Sequence, residues 1–133
     1  MIRIAKAFVA VCLTMTVIDL VWLGLVANEL YNNMLGPLRA QETVILAAAL
    51  FYLQYVLVLV FWAVLPSRNV RMAAKRGLGL GWVAYATYEL TNWAVIEGWP
   101  AQLVPIDIAW GLVLTASVAA VGRLAAGPPD AEG

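Results

Sequence analysis

Four apolar runs, at about 7–27, 44–65, 77–96 and 101–121, constrain this chain more than any motif does. Each is close to the roughly 20 residues a helix needs to cross the hydrocarbon of a bilayer, and only short connections separate them. Composition agrees: 64% of the residues are apolar and 12% charged, which is far from an ordinary soluble domain. The expectation is an all-α fold, an integral membrane four-helix bundle, forming one membrane domain over 1–133 with a disordered tail from about 124.

Charge is sorted along the chain. Arg3 and Lys6 precede the first run, Arg68, Arg71, Lys75 and Arg76 lie between the second and third, and Arg123 follows the fourth. Only Arg39 lies in the first connection, and the third has no basic residue. Basic residues accumulate on the cytoplasmic side, so both termini are expected inside. The basic start imitates a signal peptide. The run behind it is long for one, contains Asp19 and lacks a small-x-small cleavage site before Asn28, so it is expected to be a retained span. The connection 28–43 should lie along the membrane surface, with Leu30, Met34, Leu35 and Leu38 on one side of a short amphipathic helix and Tyr31 at the interface. Pro66 should end the second span. The basic stretch 67–76 suits topology and phospholipid headgroups, not nucleic acid. Gly77 and Gly81 make a small-xxx-small face for close helix packing.

Chemistry is confined to a few polar residues inside the runs. Tyr85, Tyr88, Glu89 and Asn92 stand at i, i+3, i+4 and i+7, one stripe of a helix that must face protein, because a carboxylate at bilayer depth costs roughly 3 kcal/mol or more. Two more acids occupy matching depths, Asp19 in the first span and Asp107 in the fourth, and all three fall in an outer band about 10 Å deep. Their contexts echo each other: Asp19 and Trp22, like Asp107 and Trp110, are three residues apart and share a helix face. Gln54, near the centre of the second span, needs a hydrogen-bond partner on another helix. The candidate site is therefore Asp19, Glu89 and Asp107, with Asn92, Gln54, Tyr85, Tyr88, Trp22 and Trp110 around them. Trp82, Trp93, Trp99 and Tyr31 are expected in interface belts or packing, and Cys12 as a small packing residue. With one cysteine and no histidine, the chain lacks the usual zinc, haem and iron–sulfur ligands and the usual general base near neutral pH. No metal and no cofactor is expected.

Several of these residues also carry a resemblance. Asp19-x-x-Trp22-Leu23-Gly24, Phe51-Tyr52-Leu53-x-Tyr55-Val56, Val64-Leu65-Pro66, the run Ala84 to Asn92, Gly98-Trp99-Pro100 and Asp107-x-Ala109-Trp110-Gly111 together resemble the bacterial membrane proteins of domain-of-unknown-function family 2177. The likeness covers roughly 8–121. In that family the third-span acid is commonly Asp; this chain carries Glu89, which keeps the charge and lengthens the arm. The resemblance implies a four-span, multi-pass protein of the bacterial inner membrane and brings no established activity.

Three classes of function remain open. Unpaired acids in a bundle without intramembrane Lys or Arg are natural proton or cation sites, which suits small-solute or proton- or cation-linked transport. A structural or assembly subunit would use the same residues as a hydrogen-bonded core fixing helix register. An enzyme acting on a lipid would use two of the acids as acid and base, although no spaced Asp-x-x-Asp signature is present. Expected partners are membrane lipids and a second copy of the chain, because four spans are few for a pathway.

Overall fold

A computed structural model describes residues 1–128. Four long helices, with no strand among the described residues, form an all-α membrane bundle. The first, α1, runs over Ile2–Leu38: α-helical over Ile2–Val21, π-helical over Trp22–Ala27, α-helical again over Asn28–Leu35 and closed by the 3-10 turn Gly36–Leu38. Helix α2 covers Ile45–Val64, and its last turns, Leu59–Val64, are also π-helical. Helices α3 and α4 cover Val70–Val95 and Leu103–Ala126. By length and composition, α1, α2 and α4 can each cross a membrane. Helix α3 has 26 residues, but its basic first turns and its polar stripe set it apart from the other three.

Three boundaries differ from the sequence-based expectation, each for a local reason. The expected first span and surface helix are one helix, because nothing between Ala27 and Asn28 breaks it; the chain turns only at Gly36, whose φ of +48° suits glycine alone. At 1.5 Å per residue α1 is roughly 55 Å long, well beyond the hydrocarbon thickness. Helix α3 begins at Val70, ahead of its apolar run, because the Asn69 side chain caps it by accepting from the Met72 N–H at 2.8 Å. Most of the basic connection is thus the first two turns of α3. Helix α4 continues to Ala126, so 124–126 are helical where a tail was expected, 127–128 follow it without helix, and 129–133 lie outside the described residues. Pro105 occupies the first turn of α4, where its missing N–H is least costly.

Small residues hold α3 against α4. A Cβ on Gly77 would sit 2.6 Å from the Thr115 carbonyl oxygen, and one on Gly81 would sit 2.5 Å from that of Gly111. The small-xxx-small face therefore packs as expected. Alongside this seam, Val11 and Met15 of α1, Leu59 and Val64 of α2, and Leu114 and Val118 of α4 fill one half of the bundle with no exposed surface. At the end of that half the Arg123 guanidinium is buried and donates to the carbonyls of Ser67 (2.7 Å), Arg68 (2.9 Å) and Gly127. Arg3 donates to the Leu65 carbonyl at 2.9 Å. The N-terminus, the α2–α3 connection and the end of α4 therefore meet at one end of the bundle, and that end carries all the basic residues except Arg39. The opposite half of α2 stands away from its neighbours, with Ile45 73%, Leu46 70% and Leu50 58% exposed.

Candidate functional site

The three acids are all buried, and each is met by an aromatic donor from a different part of the chain. Glu89, on the stripe of α3, has no exposed surface. Its Oε2 accepts from the Trp99 indole N–H at 2.9 Å. That contact depends on the tight turn between α3 and α4: Gly98 takes φ +79°, and the reversal carries Trp99 back over the helix it has just left. Asp107, in the second turn of α4, accepts from the Tyr31 hydroxyl, which in turn accepts from the Trp22 indole N–H at 3.3 Å. Tyr31 lies nine residues beyond Trp22 on α1, and helical side chains lean toward the N-terminus, so its ring reaches back down toward the bundle. Asp19 accepts from the Tyr52 hydroxyl of α2 at 2.7 Å, and Trp110 of α4 turns its indole toward the same carboxyl.

Two acids adjoin. Asp107 lies beside Glu89 across the α3–α4 seam, and Glu89 Oε1 is buried with no hydrogen-bond partner among the described residues. Asn92, which shares the stripe with Glu89, is beside Tyr88. Among the described residues, the guanidinium groups of Arg3, Arg39, Arg76 and Arg123 bond backbone carbonyls and asparagine oxygens, not acids. Asp19 belongs to a second, neighbouring cluster with Tyr52 and Trp110. The link between the clusters is the pair Trp22 and Trp110, stacked with centroids 4.2 Å apart and planes 7° from parallel.

The remaining candidates surround this network. Tyr85 is half-buried between α2 and α4 and crowds Gly111, where a Cβ would run into its ring. Tyr88 was expected on the protein-facing stripe, yet it is 55% exposed and stands edge-on to Trp99, with ring centroids 5.9 Å apart. It sits at the edge of the stripe, turned toward the space that α2 leaves open. Gln54 is exposed in that same space and is not part of the acid network. Tyr31 and Trp99, expected at the interface or in packing, are instead direct donors to acids, and Tyr52 joins them. A tryptophan in a tight turn ten residues after a buried acid is a signal that could have identified Trp99. No group of three or more metal-ligating side chains occurs among the described residues.

The family model described as predicted membrane protein, DUF2177, matches residues 4–124. No curated protein and no solved structure matches the chain. The match takes in every acid of the network and the turn that positions Trp99, and the chain belongs to the DUF2177 family of predicted membrane proteins.

Proposed function

We propose that Glu89 and Asp107 form a proton-binding site and that the protein works in proton-linked transport of a small solute across the bacterial inner membrane, with both termini in the cytoplasm. The observation that carries this reading is the orphaned Oε1 of Glu89 beside a second carboxyl. Two ionised carboxylates have no hydrogen to offer each other, and together in a low-dielectric seam they repel. One shared proton removes the repulsion and supplies the missing donor. Such a pair binds and releases that proton as a unit, which is the property a proton-coupled carrier needs.

The test counts protons. Wild type reconstituted in lipid should take up about one proton per chain more than Glu89→Gln when the pH is lowered from alkaline to acidic, followed with an indicator dye. Equal uptake by the two proteins would remove the proton site and the transport reading with it. A second reading, the structural subunit, draws on a different observation: each of the three buried acids is tied to an aromatic donor on another segment, as a register-fixing core would be. That reading expects the amide of Glu89→Gln to leave all behaviour unchanged.

A further inference from the structure

The outer half of α2 stands off from α3 and leaves a lateral groove of about 560 Å³ between them, at the level of the acids. Its walls are the rings of Phe51 and Tyr55 on α2 and of Tyr85 and Tyr88 on α3, with the Gln54 amide and the Thr87 hydroxyl as polar points. Space of this size suits a small molecule, and its side is open to the bilayer. The chemistry of the walls narrows the occupant. Aromatic faces carry negative potential and attract cations. Behind the rings stands Asp19, close enough for its charge to act on both Tyr55 and Tyr85. No Lys or Arg lines this part of the cleft.

The same cleft shows what it accepts at its other end. Toward the inner side it continues past Val83 to Trp62 and Arg76, and there the Arg76 guanidinium lies over the Trp62 ring, 5.7 Å from its centroid. The protein's own cation occupies the aromatic surface at the inner end. At the outer end four rings and a nearby carboxylate have no cation of their own.

We propose that the α2–α3 groove binds a lipophilic organic cation that arrives from the bilayer, its charge held against Tyr55, Tyr85 and Tyr88 with Asp19 as the counter-charge. This deepens the proton-linked reading by naming the class of solute, and it rests on that reading only for the coupling, not for the binding. An amphiphilic cation already concentrates in the membrane, so a side opening serves it better than an aqueous mouth. Gln54 supplies a hydrogen bond for a polar substituent without adding charge.

Tetraphenylphosphonium is the probe, and triphenylphosphine oxide, similar in its rings and uncharged, is the control. Binding to the purified chain in lipid nanodiscs is followed by the change in tryptophan fluorescence and by equilibrium dialysis. The cation should bind saturably and the control should not. Phe51→Leu and Tyr88→Leu keep apolar volume but lose the ring face, and each should weaken the cation about three- to tenfold. Both residues are exposed, so helix content should stay as in wild type and melting should shift only by the loss of one ring contact each. Asp19→Asn should weaken the cation further while keeping the acceptor for Tyr52. Equal binding of cation and control, or binding indifferent to Phe51→Leu, Tyr88→Leu and Asp19→Asn, would overturn the proposal. Glu89→Gln separates it from the proton-linked reading. If that variant binds the cation normally and also takes up protons as wild type does, the coupling fails and the groove stands. Loss of proton uptake in Glu89→Gln, together with no cation binding in wild type, would leave the proton site standing and sink the groove.

Discussion

Trp22 and Trp110 stack face to face at 4.2 Å, and each serves the acid of the other's motif. Both tryptophans follow an aspartate by three residues, yet Trp110 turns toward Asp19. Trp22 donates instead to Tyr31, the residue that holds Asp107. The two Asp-x-x-Trp segments, running in opposite directions on α1 and α4, thereby exchange donors across the stack. Neither acid can shift without disturbing a ring that belongs to the other helix.

The stack should therefore show as coupling. Trp22→Leu and Trp110→Leu each lose ring contact, and in a double-mutant cycle the pair should be non-additive by about 1 kcal/mol. Reversible unfolding in mixed detergent micelles gives the four stabilities. Strict additivity would mean that the rings adjoin without interacting energetically.

Glycine substitutions along α3 should separate packing from propensity. Gly81→Ala places a methyl 2.5 Å from the Gly111 carbonyl oxygen and must push α3 from α4, at a cost of about 1–3 kcal/mol. At Gly79 nothing lies within 4 Å of the added carbon, and Gly79→Ala should be neutral or stabilise by up to about 1 kcal/mol. Melting of the two variants side by side checks this, and similar losses in both would contradict the seam.

Arg123 should resist conservative replacement. Its fork reaches three carbonyls at the basic end of the bundle, an arrangement that one ammonium group cannot reproduce. Arg123→Lys should lose about 1.5–3 kcal/mol and expose the chain around Pro66 to protease in inside-out vesicles. Retained protease resistance would show that the carbonyl contacts contribute little.

The proposed orientation puts the basic end of the bundle in the cytoplasm. In a Cys12→Ala background, a cysteine at Lys75 should react with a membrane-impermeant maleimide only from the cytoplasmic side, and one at Glu97 only from the outside. Labelling of position 75 from outside would reverse the topology.

Much of this was legible because burying charge in lipid is costly. Asp19, Glu89 and Asp107 stood out in the sequence for that reason, as did the glycine face of α3, whose spacing has little use except close packing. What stayed hidden was the identity of the donors. Tyr31 and Trp99 have the composition of an interface belt, and only the back-leaning side chain of one and the Gly98 turn before the other bring them onto acids. Helix ends were blurred for a related reason. Hydropathy marks where a helix meets lipid, whereas Asn69 and Gly36 decide where α3 starts and α1 stops. Gln54 pointed to a partner helix by the same desolvation argument as the acids, but the stand-off of α2 put it in the groove instead.

The shared proton between Glu89 and Asp107 is tested most directly by infrared difference spectroscopy of the protein in lipid at neutral pH, comparing wild type with Glu89→Gln. The account expects a protonated-carboxyl C=O band, sensitive to deuterium exchange, in wild type and its loss in the variant. If wild type shows only carboxylate bands, with none removed by Glu89→Gln, both acids are ionised and the proton site does not exist.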